Sequence, residues 1–201
     1  MKKQIGFMAL IAVMFTLGCS QKPAPRNLLD ELAQKQQKDR VGIGWVYEHK
    51  LNLIMFGAKP EMREYSLPAD EAQKLAAARE TPTQISEGTD VMRSPDRKAM
   101  TYRTRENRFV LADASGKIER TLADGRRVLT PVYWSPDSQY LFYVQKAGTW
   151  DPAGLHCGDD AFYVMVYRLR DGSTGPVFQG CQGYPFGGFQ WLRVPSNVPL
   201  S

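Results

Sequence analysis

The tripeptide Ser-Pro-Asp occurs twice, in VMRSPDRKAMTYR (residues 91–103) and in VYWSPDSQYLFYV (residues 132–144). Proline fixes the φ angle that a tight turn requires, and Ser and Asp side chains can bond nearby backbone N–H groups. Each copy therefore predicts a β-hairpin with a sharp turn. The residues of the two turns are Ser94, Pro95, Asp96, Ser135, Pro136 and Asp137.

Weaker copies of the same apolar pattern surround Trp45 and Trp191. The anchors Trp45, Arg93, Trp134 and Trp191 are separated by 48, 41 and 57 residues, a spacing typical of propeller blades with insertions. The second and third units each predict four strands. These lie at about 89–93, 99–104, 108–114 and 118–122, and near 128–134, 140–146, 161–169 and 174–179.

The strands YLFYV (140–144) and AFYVMVY (161–167) are apolar on both faces rather than alternating, so each must be covered on both sides. The sequence therefore predicts an all-β protein, a small or incomplete β-propeller of three to four four-stranded antiparallel blades. A short helical insertion is expected at 69–80, and a strand within 184–192 would complete the first blade. The alternative is a β-sandwich with two fortuitous Ser-Pro-Asp turns.

SPDRKAMTY and WSPDSQYLFYV resemble the TolB-type, WD40-like propeller repeat, whose signature is W-S-P-D-G-x-x-L-A-F. The resemblance covers roughly residues 85–192. Arg97 and Ser138 stand where the usual Gly follows Asp, and Arg93 stands where Trp is usual. The resemblance implies a propeller that binds other proteins.

The N-terminus has Lys2 and Lys3, an apolar stretch from Ile5 to Leu17, and then Gly18-Cys19-Ser20. This arrangement resembles a bacterial lipoprotein signal, although Thr16 stands where Leu is usual. The resemblance implies lipidation (palmitate) at Cys19. Ser20, rather than Asp, then implies sorting to the outer membrane of a Gram-negative cell, with the protein facing the periplasm.

Four segments follow: a signal peptide (1–18), a lipidated N-terminus with a flexible tether (19–40), a propeller-type domain (41–192) and a tail (193–201). A short helix within the tether, from Leu28 to Gln36, remains an alternative. The net charge of +5 falls to +3 when the two lysines of the signal peptide leave. So mild a charge argues against nucleic acid as a partner.

Cys157 and Cys181 remain once Cys19 is acylated, in a compartment where thiols are oxidised, and we expect them to form a disulfide. A metal site at His156, Cys157, Asp159 and Cys181 is the alternative, but it lacks the spacing that places two ligands on one turn. We therefore expect no metal and no cofactor.

Two groups of residues are candidates for a partner-binding surface. One is an insertion at 149–160 with the aromatic residues that follow it, and the other is a cation-rich run from Arg93 to Arg108. Packing inside the blade and a solvated edge are the respective alternatives. The candidates are Trp150, His156, Tyr184 and Phe186 in the first group, and Arg93, Arg97, Arg103 and Arg105 in the second.

No catalytic residue is assigned, because the chain has two histidines and no G-x-S-x-G motif. The main hypothesis is a non-enzymatic envelope lipoprotein that binds a periplasmic or outer-membrane protein, or another copy of itself if the ring does not close. The second is an immunity or inhibitor lipoprotein that occludes a toxin or an envelope hydrolase. The third is a hydrolase that uses His156 beside Asp159 and Asp160.

Overall fold

The computed structural model describes residues 26–147, 161–181 and 188–200. Its helices are α1 (Arg26–Asp39) and α2 (Ala69–Ala77). Its strands are β1 (Val41–Tyr47), β2 (Lys50–Met55), β3 (Glu61–Ser66), β4 (Thr83–Ile85), β5 (Gly88–Arg93), β6 (Ala99–Thr104), β7 (Arg108–Asp113), β8 (Ile118–Asp124), β9 (Tyr133–Trp134), β10 (Tyr140–Lys146), β11 (Phe162–Arg168), β12 (Thr174–Gly180) and β13 (Gln190–Arg193).

The strands form three antiparallel sheets, which we call the first, second and third blades in chain order. The first has the strand order β13-β1-β2-β3, the second β4-β5-β6-β7-β8 and the third β12-β11-β10-β9. The expected all-β, propeller-like fold is therefore confirmed, with three blades. The second blade has a fifth strand, β4, that the sequence did not predict.

The strands of the second and third units lie close to their predicted positions, with one exception. The strand expected at 128–134 is reduced to β9, and Val128 forms only an isolated bridge with Gln145. Pro131 lies between these two points and has no backbone N–H to donate to a neighbouring strand. The proline therefore interrupts the pairing.

The C-terminal strand completes the first blade. Strand β13 pairs with β1, and the register joins Val41 to Arg193 and Gly44 to Gln190. This is the closure expected from a strand within 184–192, although β13 spans Gln190–Arg193. The expected tail differs from the structure, because Val194 and Val198 are buried in a cluster on the outer face of the first blade. Their apolar side chains pack there instead of extending into solvent.

The third blade lies between the other two. Strand β9 contacts both β5 and β13, and the main core cluster draws residues from all three blades. Every residue of β11 is buried, as are six of the seven residues of β10. The two-sided apolar pattern of these strands therefore correctly predicted cover on both faces.

The two Ser-Pro-Asp turns have the same geometry. Ser94 Oγ donates to Asp96 Oδ1 at 2.6 Å and accepts from the N–H of Ala99 at 3.0 Å. In the other copy, Ser135 Oγ donates to Asp137 Oδ1 at 2.6 Å and accepts from the N–H of Tyr140 at 2.9 Å. The residue after each Asp is left-handed, with φ of 59° at Arg97 and 58° at Ser138, where the repeat signature has glycine.

The two turns lie at the same end of the molecule. The backbone N–H of Asp96 donates to Ser138 Oγ at 3.3 Å and so joins one turn to the other. Because neighbouring strands are antiparallel, the β2–β3, β7–β8 and β11–β12 turns lie at this end too. We call this end, with α1, the turn face.

Helix α1 departs from the tether expected over residues 19–40. Its Leu28 and Leu32 are buried in the main core cluster, with 0% and 1% of their surface exposed. Gln36 is also buried, and its side chain donates to the Ile54 carbonyl at 2.7 Å and accepts from the Phe56 N–H at 3.1 Å. Residues 26–39 therefore belong to the folded body.

The insertion expected as a helix at 69–80 is α2, which ends at Ala77 and covers the outer face of the first blade. Neither described helix, of 14 and 9 residues, is long and apolar enough to cross a bilayer.

We expect Ser94→Ala and Ser135→Ala each to lower the free energy of unfolding by about 1–3 kcal/mol, because both serines are buried and bond backbone groups of the turn. Urea unfolding monitored by circular dichroism measures the loss. Ser115→Ala is the matched control, since Ser115 also donates to an Asp side chain in a turn but is exposed. Equal losses in all three variants would contradict the structural role of the two turns.

Candidate functional site

A partly enclosed cavity lined mainly by apolar groups lies where the inner strands of the blades end on the turn face. We call it the hub pocket. Its volume is about 420 Å³. Its lining residues are Leu75, Ala78, Glu80, Pro95, Tyr133, Trp134, Pro136, Gln190, Trp191, Leu192 and Arg193.

The Ser-Pro-Asp turns and the inner strands hold this pocket in shape. Each turn contributes one proline to the lining, Pro95 from the first turn and Pro136 from the second. The indole Nε1 of Trp134 donates to the Met92 carbonyl at 3.1 Å and ties the third blade to the second. Gln190 Nε2 donates to the Leu75 carbonyl at 3.1 Å and fastens α2 beside the pocket. The pocket is therefore built from all three blades and held by hydrogen bonds between them.

Three aromatic side chains line the pocket. Tyr133 and Trp134 are each 3% exposed, whereas Trp191 is only partly buried. The Trp191 ring packs edge-on against Phe142, with 5.8 Å between the ring centroids. Its buried Nε1 has no hydrogen-bond partner in the described part of the chain. A buried N–H without a partner costs free energy.

Charged groups surround the mouth of the pocket. Glu80 forms no ion pair with any residue that the structure describes, and partial burial raises the pKa of its carboxyl. Arg79 donates to the Tyr133 hydroxyl at 3.4 Å, and Arg193 is exposed at the end of β13. An uncompensated carboxylate beside aromatic rings favours a cationic group.

A second cluster of charges lies under α1, and we call it the α1 ionic cluster. Arg168 is 2% exposed and donates from Nη1 to Glu31 at 2.8 Å and from Nη2 to Asp171 at 2.6 Å. Arg170 also pairs with Glu31, and the Tyr140 hydroxyl donates to the same carboxylate at 3.0 Å. These bonds fasten α1 to the β11–β12 turn.

The pKa values of the cluster follow from this geometry. Burial alone would raise the pKa of Glu31, but hydrogen bonds from Arg168 and Tyr140 and the charges of both arginines lower it. The Arg168 hydrogen bond also holds the pKa of Asp171 well below its usual range. Burial, together with the bond to Glu31, raises the pKa of Tyr140 to about 12. All three pKa shifts favour the ionised acids and the neutral tyrosine.

The predicted cation-rich run is divided by the fold. Arg93 and Arg97 are exposed on the turn face, whereas Arg103 and Arg105 lie toward the opposite end, at the β6–β7 turn. Arg103 makes its contacts inside the second blade. It forms an ion pair with Asp90 at 2.8 Å, and its guanidinium lies 4.7 Å from the centre of the Phe109 ring. These four residues therefore do not form one surface.

Other predicted site residues lie outside the described residues: Cys19, Trp150, His156, Cys157, Tyr184 and Phe186. Cys181 is described and is disulfide-bonded, while its pairing with Cys157 stays a prediction. The described residues contain no group of three or more His, Cys, Asp or Glu side chains that could hold a metal ion.

Sequence reasoning missed the hub pocket and the α1 ionic cluster. The sequence identifies Trp134 and Trp191 only as repeat anchors, and Glu80 only as the end of a helical insertion. The available signal for the pocket was the presence of a Trp in two of the three inner strands, Trp134 in β9 and Trp191 in β13. No local pattern links Glu31 to Arg168, because 137 residues separate them.

No protein-family model matches the chain, and no curated protein matches it. Among solved structures, the chain is similar to an oligogalacturonate lyase in complex with manganese, with 13% sequence identity and a TM-score of 0.34. The match covers 70% of this chain and 42% of that one. The chain therefore spans less than half of the lyase, and the lyase activity and the manganese belong to that protein.

We expect Arg168→Ala to lower the free energy of unfolding by roughly 2–4 kcal/mol, because it removes a buried cation from two carboxylates. Arg170→Ala is the matched control. It removes a cation from the same Glu31, but the Arg170 side chain is 65% exposed, so the loss should be at most about 1 kcal/mol. Urea unfolding measures the loss of stability in each variant. Equal losses would contradict a special stabilising role for the buried Arg168.

The stability of the protein should fall in acid. Glu31 and Asp171 have folded-state pKa values below their unfolded values of about 4.3 and 3.9. Their stabilisation is therefore present above about pH 4–5 and is lost as the pH falls through the folded-state values. Urea unfolding as a function of pH should give a shallower acid loss for Glu31→Gln than for the native protein. Glu119→Gln, on an exposed position of β8, should leave the acid loss unchanged.

Proposed function

We propose that this chain is an envelope-anchored lipoprotein, with TolB-type, WD40-like repeats, that binds another protein through its hub pocket and catalyses no reaction. The lipid anchor would be carried by Cys19, and the partner would be a periplasmic or outer-membrane protein. The observation that carries the proposal is the hub pocket itself. It joins all three blades, is open to solvent and is lined by aromatic side chains and an unpaired carboxylate.

The chemistry of the pocket favours a long basic side chain from the partner. The apolar stem of a lysine or arginine would lie against Trp134 and Trp191, and its cationic end would reach Glu80. Aromatic residues that surround a pocket are the usual anchors of protein interfaces. A rigid pocket also costs a ligand less free energy, since its walls are ordered before binding.

The described residues supply little for acid–base catalysis at this pocket. Glu80 is the sole carboxylate in the lining, which contains no histidine, cysteine or serine. His49 lies on the exposed β1–β2 turn, where its carbonyl accepts from the Leu67 N–H at 2.8 Å. This turn is at the opposite end of the first blade from the pocket. A pocket with one acid and no nearby base is better suited to binding than to proton transfer.

A photo-crosslinking amino acid at Ala78 tests the proposal in intact cells, because Ala78 is exposed and lines the pocket. We expect one discrete protein adduct from position 78. The matched control places the same amino acid at Ala76, which is exposed on α2 but outside the lining. Adducts that are equal at both positions, or absent at 78 while the purified protein turns over a substrate, would reverse the proposal.

With the crosslinked partner in hand, we expect Ala78→Trp to weaken its binding at least about tenfold, because the indole would occupy the cavity. Glu80→Gln should also weaken it about tenfold, through loss of a charge-assisted contact. Calorimetric titration of the partner gives both values. Ala76→Trp should bind as the native protein does, and a partner that tolerates Ala78→Trp does not use the hub pocket.

A further inference from the structure

We propose that the turn face lies against the anionic surface of the membrane that holds the lipid anchor, where its exposed cations contact phospholipid headgroups. This inference rests on the lipid anchor at Cys19 in the proposed function. It does not depend on which protein enters the hub pocket. It fixes an orientation of the blades relative to the bilayer.

Helix α1 lies on the turn face, and its first residue is Arg26. Glu31 is held by the β11–β12 turn, and Lys35 donates to Asp137 of a Ser-Pro-Asp turn at 2.5 Å. Both contacts are on the turn face. The segment that leads to the lipid therefore departs from this end of the molecule.

The segment between the lipid and α1 is short. Only residues 20–25 lie between Cys19 and Arg26, so the fully extended chain spans at most about 25 Å. A blade whose longest strands have seven residues is about 23 Å high. To place the opposite end on the bilayer, the segment would have to extend fully along the side of a blade. The turn face reaches the bilayer without this loss of chain entropy.

The turn face also leaves several cationic side chains exposed. Lys38, Arg93, Arg97 and Arg193 are exposed and form no salt bridge with the residues that the structure describes. Lys98 is also exposed and has only a loose contact of 3.9 Å with Asp96. Each such cation is attracted to the surface of an anionic bilayer.

Most acidic side chains of the same face form a hydrogen bond or an ion pair within the protein. Hydrogen bonds from Ser94 and from the Lys98 N–H lower the pKa of Asp96. Asp137 is paired with Lys35, and Asp171 and Glu31 are paired with Arg168. Asp30, Glu80 and Asp113, the last at the β7–β8 turn, are acids of this face that form no ion pair with described residues. The available charge is therefore mainly positive.

The orientation has a consequence for the hub pocket. Because the pocket opens on the turn face, beside Pro95, Pro136 and Arg193, a protein that reaches it must itself lie at the bilayer surface. A membrane-embedded partner with a short basic segment meets this requirement.

The test uses the intact lipidated protein, purified from membranes and reconstituted into vesicles. A fluorescent label is attached to a single introduced cysteine. In one variant this is Ala58→Cys, in the β2–β3 turn of the turn face, and in the other it is Glu106→Cys, in the β6–β7 turn at the opposite end. Both positions are exposed. The vesicles contain phosphatidylethanolamine with phosphatidylglycerol, or phosphatidylcholine alone. Quencher-bearing headgroups report how close each label is to the bilayer.

In vesicles that contain phosphatidylglycerol, we expect the label at residue 58 to be quenched at least about twofold more than the label at residue 106. This difference should be smaller in about 0.5 M salt, because salt screens the attraction between the cations and the headgroups. The variant K38E/R93E/K98E should abolish the difference. The matched variant R105E/R108E/R126E, which reverses three exposed cations of the opposite end, should retain it. Urea unfolding shows whether both variants keep the native fold.

Equal quenching at the two positions overturns the proposal. A difference that persists in phosphatidylcholine alone, or in K38E/R93E/K98E, overturns the contact with anionic headgroups. If the purified protein carries no lipid and leaves the vesicles, the anchor at Cys19 is wrong and this inference fails with it. The crosslinking result at Ala78 is unaffected by that outcome, so the two failures are distinguishable.

Discussion

The structure depends on the burial of the third blade on both faces. Strands β10 and β11 are almost wholly buried, and such apolar surface is stable only when other sheets cover it. The first and second blades supply this cover. Their inner strands β13 and β5 meet β9 of the third blade, and the Trp134 indole joins β9 to the second blade. The packing of the sheets thus brings the ends of three inner strands together, and the hub pocket forms at this junction.

The same packing places the two Ser-Pro-Asp turns, α1 and the hub pocket together on the turn face. Antiparallel pairing places both Ser-Pro-Asp turns at one end, where Asp96 and Ser138 contact each other. Helix α1 lies across that end and is fixed by the buried Arg168. The hub pocket, the exposed cations and α1 are consequently on one face. The binding that we propose at a membrane surface uses these three features together.

The sequence predicted the parts of the fold that depend on local chemistry. The two turns, the strands that flank them and the two-sided cover of β10 and β11 follow from proline, from serine and aspartate side chains, and from uninterrupted apolar runs. Contacts between distant residues were not predictable in this way. Leu28, Leu32 and Gln36 read as part of a polar tether because their partners lie far along the chain. Glu80 and Trp191 form one pocket only after β13 has closed the first blade.

Amide hydrogen exchange of the intact protein tests the central role of the third blade most directly. Protection reports the free energy of the smallest opening that exposes each amide. We predict that the amides of β10 and β11 exchange last, with an opening free energy equal to that of global unfolding measured in urea. The edge strands β3 and β8 should exchange earlier. Exchange of β10 and β11 at a lower free energy than β2 and β7 would contradict the account.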